Sequence, residues 1–581
     1  MTLFDYESKD AIGTVYSVDT GTVLVTVSDE EQLRIVQVNH LVALRSSKAG
    51  QHLIGLINKI TRKILAEAIE PDKEDDLPEG TTVVENVIRI TLIGTMIDSV
   101  GTTPNVFRRT LETVPEIDAM CFLIEGGRLT KFMQSISKTA EEGKQPLSLG
   151  TYTIDEDAKA WLDGNKFFQR HAVIVGSTGS GKSWTVAHIL EQVAPLPSAN
   201  VILFDIHGEY APIKGDGIQH LRIAGPGDLD GTKGLDDGVV FLPYWLLTYE
   251  EMLALLLDRS DQNAPNQAMV FSREVTESKR KKLEADGKSD VLKNFTVDSP
   301  VPYPLNDVLI RLNELDQQMV PGSGKAEKQG PFHGKLVRFI QRLEAKITDR
   351  RLGFLFASSE EAMEYDWMPK LCTLLLGATC QQEKGGVKII DFSEVPSDIL
   401  PLIIGLVARV VFTVQQWTGK EKRHPISLIC DEAHLYIPAR TEASAVNEAA
   451  LNSFERIAKE GRKYGVALVV VSQRPAEVSR TVLSQCNNYV AMRLTNAEDQ
   501  QVVRRLLPDN LGGFSELLPI LDIGEALVVG DAAMLPSRIR IEEPKSKPRS
   551  ATVDFWDEWS KDEVPEGILD AVESMRRQSK T

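Results

Sequence analysis

Cysteine and long apolar runs are scarce in this 581-residue chain, and so is any excess of positive charge. Its five cysteines, Cys121, Cys372, Cys380, Cys430 and Cys486, lack the close spacing of a zinc site or a disulfide framework, so they are expected to be reduced and mostly buried. No apolar stretch of about 18 residues stands out, which predicts no membrane span. The opening Met1-Thr2-Leu3-Phe4-Asp5-Tyr6-Glu7 has neither a basic region nor an apolar core, so no secretory leader is expected and the chain is assigned to the cytoplasm. Acidic residues outnumber basic ones, 83 to 65, for a net charge of -18. That excludes a protein coated in basic surface. It leaves room for nucleic acid, because a ring can hold a basic channel inside an acidic exterior and the field that matters is local. Repeats and low-complexity blocks are absent. With 42% hydrophobic and 25% charged residues the composition is that of a globular protein. The length predicts about two to four domains.

Two patterns divide the chain. Up to about residue 150 it is rich in β-type runs: residues 12–18 and 22–27 flank the turn Asp19-Thr20-Gly21, and others occur at 53–60 and 87–96. Short strands between glycine turns predict a small barrel. From about residue 165 strands alternate with helices, which predicts an α/β fold with a mostly parallel, doubly wound sheet. Its strands are expected at 171–175, 201–205, 387–391, 426–430, 466–472 and 488–494. Between the second and third lies a stretch of helical periodicity, at 252–257, 305–315 and 336–347, broken by the prolines at 300–304 and a polar segment at 321–334. This predicts a helical insertion carrying one or two mobile loops. After residue 543 a Lys/Pro-rich linker leads to a short helix around 568–575.

Chemistry concentrates where Ala172-Val173-Ile174-Val175 runs into Gly176-Ser177-Thr178-Gly179-Ser180-Gly181-Lys182-Ser183 and then a helix from Trp184. A strand, a glycine loop and a helix in this order form a P-loop, whose backbone N–H groups curl round phosphates. Lys182 reaches the β- and γ-phosphates, the Ser183 hydroxyl holds Mg²⁺, and Trp184 follows at the helix N-terminus, where partial positive charge favours anions.

The apolar run 426–430 ends in Asp431-Glu432, placed for a carboxylate that holds Mg²⁺ and a second that polarises the attacking water. An acidic turn ending a strand is the plainer alternative. Gln473, at the end of the run 466–472, is a candidate γ-phosphate sensor, or an amide that caps a strand. For positive charge at the transition state the candidates are Arg170, just before the P-loop strand, and Arg456 and Arg462 on the helix expected at 443–463. On that helix Glu455 and Lys459, and Arg456 and Glu460, sit at the spacing of ordinary surface pairs. Asp205 and Glu209 either join the site or close a turn.

Phe168-Gln169-Arg170-His171 through the P-loop, Asp205-Ile206-His207-Gly208-Glu209-Tyr210, Pro243-Tyr244-Trp245-Leu246, Asp431-Glu432-Ala433-His434, Gly461-Arg462-Lys463-Tyr464-Gly465 and Ser472-Gln473-Arg474-Pro475 together resemble the HerA family within the HerA/FtsK group. Gly13-Thr14-Val15 and Arg109-Thr110-Leu111-Glu112 are similar to that family's HAS barrel. The resemblance implies a RecA-like P-loop ATPase core divided as 1–150 HAS-type β-barrel, 151–245 first core part, 246–385 helical insertion, 386–542 second core part and 543–581 tail. It also implies a homohexamer that encloses double-stranded DNA and hydrolyses ATP between subunits with Mg²⁺, and no membrane. In that scheme Lys182 and Ser183 serve phosphate and Mg²⁺, Asp431 serves Mg²⁺, Glu432 is the catalytic carboxylate, Gln473 the sensor, and Arg170 reaches a neighbour's nucleotide. A second such arginine is Arg456 or Arg462. Relatives work with a separate effector, a nuclease or a sirtuin-like NADase, docked on the barrel ring, in DNA end processing or antiphage defence.

DNA-facing candidates are Lys279-Arg280-Lys281-Lys282 and the loop after Arg474 with Arg480, although the acidic neighbours of the first group favour a solvated helix face. Beside the translocase stand two other readings. One is a scaffold ring whose ATP state switches its effector with little translocation; the other is a conjugation-type or secretion motor, which needs a membrane anchor.

Overall fold

The computed structural model describes residues 4–65, 83–98, 106–141, 147–321, 327–507, 515–533, 535–549, 555–562 and 567–579. The chain forms two compact units, one of Met1–Ile189, Gln473–Ala476 and Cys486–Glu543, the other of Leu190–Ser472, Glu477–Gln485 and Pro544–Thr581.

In the first unit the amino-terminal strands are β1 (Ala11–Asp19), β2 (Thr22–Thr26), β3 (Leu41–Arg45), β4 (Gln51–Leu65), β5 (Val83–Ile97), β6 (Val106–Arg108) and β7 (Met120–Leu123). They pair antiparallel in the order β2-β1-β7-β3-β4-β5, and β5 returns to β2, so six strands close a barrel while β6 flanks β5. Closure follows from side-chain alternation. Val23 and Val25 of β2 point inward and are fully buried with Val15, Val42, Leu44, Ile57, Ile88 and Ile90. A closed ring leaves those strands without a free edge. The expected turn is present, with Thr20 in the left-handed region at φ 47°.

The boundary expected at residue 150 is corrected, because it falls inside a strand. Leu147–Tyr152 pairs with Asp155–Leu162 on one side and Ser537–Ile541 on the other, outside the barrel. Ser537–Ile541 continues through Glu525–Gly530 to Asn488–Met492, and all of these pairings are antiparallel. Only Ala172–Val175, which leads into the glycine loop, lies parallel to Asn488–Met492. The first unit's sheet is therefore mainly antiparallel, through strands that the alternation of strands and helices did not mark.

The second unit carries the parallel sheet, in the order Val239–Val240, Ile218–Ile223, Val387–Asp391, Val201–Asp205, Ile426–Cys430 and Val466–Ser472. Against its strand Val466–Ser472 packs Ala445–Tyr464, and Leu400–Trp417 packs against that helix. Leu400–Trp417 corrects the expectation of no long apolar run. It has the length and composition to cross a membrane, with a mean hydropathy of 1.5, yet is 72% buried within the protein. Its single arginine, Arg409, is neutralised by Glu251 at 2.7 Å and also donates to the Leu246 carbonyl. Helices Tyr249–Leu256, Ala264–Ala285, Leu305–Gln317, Val337–Thr348 and Trp367–Leu376 occupy the stretch read as an insertion. Within the expected loop at 321–334, residues 322–326 lie outside the described residues, and Met319–Pro321 pairs with Glu327–Gln329. The start of the tail is anchored rather than a free linker. Lys545 and Ser546 donate their backbone N–H groups to Glu191 at 2.9 and 2.8 Å, and the Arg549 N–H reaches the Glu209 carbonyl at 2.7 Å.

Candidate functional site

In the first unit the buried strand Ala172–Val175 delivers the glycine loop to the N-terminus of the helix Lys182–Val193. Gly179 and Gly181 adopt φ of 73° and 110°, values that side chains with a Cβ resist, and this lets the loop turn its backbone inward. The turn is held by the Ser177 N–H on the Arg493 carbonyl (2.8 Å), the Ser180 N–H on the Ser177 carbonyl (3.2 Å) and the Thr185 hydroxyl on the Gly181 carbonyl (3.0 Å). Lys182 is buried, and its Nζ donates to the Ser177 carbonyl at 3.2 Å, folded back over its own loop. Thr178 and Gly179 are exposed at the tip, and Ser183 and Trp184 are half-buried at the helix start. A cradle of this shape, with N–H groups and a lysine at a helix N-terminus, fits a polyphosphate.

The structure brings Gln473 to this loop. The Thr178 hydroxyl donates to Gln473 Oε1 at 2.6 Å across 295 residues of sequence. Arg170 belongs to the same unit. It caps the helix Gly164–Gln169, and its guanidinium donates to Asp531.

In the second unit the fully buried strand Ile426–Cys430 ends at Asp431, which is 7% exposed. One carboxylate oxygen accepts from the Tyr210 hydroxyl at 3.0 Å, the other from the Glu432 N–H at 3.0 Å, and the Asp431 carbonyl accepts from the Tyr436 hydroxyl at 2.8 Å. Burial, reinforced by the charge of Glu432, pushes the Asp431 carboxyl up to about 7 against the lowering effect of the Tyr210 bond. Burial, then the Asp431 charge, also keeps the Tyr210 phenol well above its ordinary value, so it remains a donor. Glu432 sits in the left-handed region at φ 46°, unusual for a residue with a Cβ, and its Oε2 lies 3.3 Å from His434 Nδ1. Ser472 Oγ is 3.4 Å from the same nitrogen.

Asp205 turns inward rather than toward a ligand. Its two oxygens accept the Glu209 and Tyr210 N–H groups, each at 3.0 Å, which fixes the turn that presents Tyr210 to Asp431. The Glu209 charge acts on Asp431 from the same turn. Among the described residues no cluster of three or more His, Cys, Asp and Glu side chains could hold a metal ion unaided. A cation at Asp431 therefore depends on oxygens from elsewhere, such as phosphate and water, which is the habit of Mg²⁺. Each Asp431 oxygen has one protein donor and a lone pair to spare, so the carboxylate fits that role.

The remaining cations divide. Arg456 is exposed, donates to Gln416 at 3.1 Å, stands 3.8 Å from Glu460 and covers the Phe412 ring, while Arg462 is exposed in the last turn of its helix. The Glu455–Lys459 pair forms at 3.7 Å. Lys279 is corrected as a DNA-facing candidate. It is 1% exposed and donates to the Val297 and Ser299 carbonyls at 2.6 and 2.7 Å. Arg280 pairs with Glu277 and Lys282 with Asp286, as a solvated helix face does. Arg474 and Arg480 are exposed. Cys121, Cys430 and Cys486 are buried, Cys372 is half-buried and Cys380 is exposed; none is in a disulfide. Tyr210 and His434 lie within stretches singled out by sequence and Tyr436 lies two residues beyond one, but their contacts with the carboxylates were not foreseen. The only available signal was their short spacing from strand-end acids. Asp531 had no motif to mark it.

A family model described as "Helicase HerA, central domain" matches residues 147–411. Among curated proteins the DNA double-strand break repair helicase HerA of Pyrococcus furiosus is 25% identical over 435 residues, which is 69% of this chain and 70% of that protein. Its namesake from Sulfurisphaera tokodaii is 27% identical over 399 residues, covering 68% of each. Among solved structures the bacterial conjugative coupling protein TrwBdeltaN70 matches with 14% identity and a TM-score of 0.44, over 74% of this chain and 94% of that one. VirB4 of Thermoanaerobacter pseudethanolicus matches with 15% identity and a TM-score of 0.43, over 69% and 96%.

Proposed function

Since the chain belongs to the HerA family and is a P-loop ATPase, we propose that it is an ATP-driven, homohexameric translocase or helicase for double-stranded DNA. It acts in the cytoplasm with a separate effector enzyme docked on its barrel. The observation that carries the nucleotide chemistry is the Thr178–Gln473 hydrogen bond, which seats a neutral amide directly on a phosphate-type loop. An amide there senses a γ-phosphate without competing for it by charge. The DNA reading is supported by relatives, along more than two thirds of the chain, that are named for double-strand break repair; DNA end processing is accordingly favoured over antiphage defence.

In this reading Lys182 leaves the Ser177 carbonyl for the β- and γ-phosphates, and the glycine-loop N–H groups orient them. The Ser183 hydroxyl and Asp431 hold Mg²⁺, which when bound spreads the charge of the transferring phosphoryl group. Glu432 takes the proton of the attacking water, and its strained backbone fixes where that carboxylate points. Arg170 stabilises the transition state on a neighbouring subunit's nucleotide, with Arg456 or Arg462 as a second contributor.

Sedimentation with and without duplex DNA, together with a triplex-displacement assay, tests the proposal. It expects a hexamer and ATP-dependent displacement that Glu432→Gln abolishes. A chain that stays monomeric with DNA and nucleotide, or a ring that hydrolyses ATP yet never displaces the third strand, overturns it.

A further inference from the structure

Arg170 is held unusually firmly for a partly exposed arginine. Its backbone N–H donates to the Lys166 carbonyl at 3.2 Å, and its own carbonyl accepts the Asn487 N–H at 3.0 Å. Its Nη1 donates to Asp531, and Asn487 Nδ2 donates to the same Asp531 oxygen at 3.2 Å. Asn487 therefore ties both ends of the arginine, the backbone directly and the guanidinium through Asp531. Arg109, next to β6, which flanks the barrel strand β5, closes the cluster from the other side: its Nη2 reaches the Gly530 carbonyl at 2.8 Å and its Nη1 stands 4.0 Å from Asp531. Arg170 Nε is buried without a partner among the described residues, while the side chain as a whole remains 34% exposed.

A guanidinium has five N–H donors in a rigid fork, so one carboxylate can fix its plane and leave other donors for a second anion. Unanchored, a long arginine spreads over many rotamers, and a small misplacement forfeits much of the rate gain that positioning supplies. An anchor to solvent-exposed carboxylate alone would add little. Here the carboxylate is itself fixed by Asn487 and flanked by a second arginine.

We propose that Asp531 is the positioning residue of Arg170: by holding Nη1, with Asn487 and Arg109 fixing the carboxylate in turn, it aims the remaining guanidinium donors at a polyphosphate presented by another subunit. This rests on the reading of Arg170 as an arginine that acts in trans. Asp531 touches no nucleotide and acts only through that arginine. Because Arg109 adjoins the barrel, the anchor also lies where barrel and ATPase core share a contact within one unit.

The test is a double-mutant cycle of Asp531→Ala and Arg170→Ala in the full chain assembled on duplex DNA, read as kcat, KM for ATP and Tm. Asp531→Ala alone is expected to lower kcat about tenfold, within the usual range for coupled residues, with little change in KM or Tm. On the Arg170→Ala background it is expected to change kcat by less than about twofold, because nothing remains to be aimed. Restoration of most of the lost kcat by Asp531→Glu supports the proposal as well. If Arg170→Ala abolishes turnover while Asp531→Ala does not, the proposal falls and the reading of Arg170 stands. If the Asp531→Ala loss persists undiminished without Arg170, the residue is merely structural and the proposal is overturned. Wild-type turnover in Arg170→Ala removes the trans reading itself.

Discussion

The glycine loop at residues 176–183 is made from one continuous piece of chain whose glycines shape the turn, with remote partners such as Arg493 on Ser177 and Gln473 on Thr178 fastening it. The carboxylate pair Asp431–Glu432 is made differently. Its strand delivers the backbone, but Tyr210 comes from 221 positions away to hold the Asp431 oxygen, and a left-handed backbone turns Glu432 toward His434. One region depends on local backbone geometry, the other on remote side chains packed around a buried charge. The same contrast separates two buried lysines. Lys182 donates to a carbonyl of its own loop, whereas Lys279 is locked onto carbonyls 18 and 20 residues away. Burial alone therefore says little about what a cation is for; the distance in sequence of its partners says more.

Substitutions sharpen this contrast. Lys182→Ala should leave ATP turnover below about one thousandth of wild type, as loss of a phosphate-stabilising cation does; residual activity near wild type in a phosphate-release assay breaks the assignment of the loop. Glu432→Gln should lower kcat by about a hundredfold or more while ATP still binds, the usual effect of losing a general base. Tyr210→Phe probes the remote support. It should raise the Mg²⁺ concentration needed for half-maximal turnover about tenfold, in line with losses of groups that orient a metal ligand; an unchanged Mg²⁺ titration would make the tyrosine a packing residue only.

The smallest effect concerns Lys279. Burial brings its folded pKa down to about 8 from an ordinary 10.5. Between those values the unfolded chain binds more protons than the folded one, so wild type gains stability as pH rises from 8 toward 10.5, and below 8 the full cost of the buried charge remains. The Tm of wild type relative to Lys279→Met should accordingly rise by a few degrees over that window. A difference that is flat with pH would mean that burial does not lower the Lys279 pKa in the fold.

Local devices were the legible ones. The glycine loop, the strand before it and the helix after it are specified by contiguous residues, and the parallel strands at 201–205, 387–391, 426–430 and 466–472 appear at the expected places because each is a short apolar run. Period-two alternation marks a strand without naming its partner, so the antiparallel sheet built from Leu147–Tyr152, Asp155–Leu162, Glu525–Gly530 and Ser537–Ile541 was not foreseen. The apolar helix Leu400–Trp417 escaped notice because Arg409 interrupts it, and only the fold supplies the Glu251 that neutralises the arginine. Contacts such as Tyr210 with Asp431 and Asp531 with Arg170 are long-range pairings that no short motif encodes.

The central claim is that the glycine loop and the carboxylate pair serve one hydrolysis, the first by binding ATP and the second by cleaving it. Rapid filtration of the protein after incubation with Mg²⁺ and ATP on duplex DNA, followed by identification of the retained nucleotide, separates the two steps. Glu432→Gln should retain uncleaved ATP, Lys182→Ala should retain almost none, and wild type should carry mostly ADP. Equal retention by Lys182→Ala and Glu432→Gln, or ADP on Glu432→Gln in the wild-type proportion, would contradict the account.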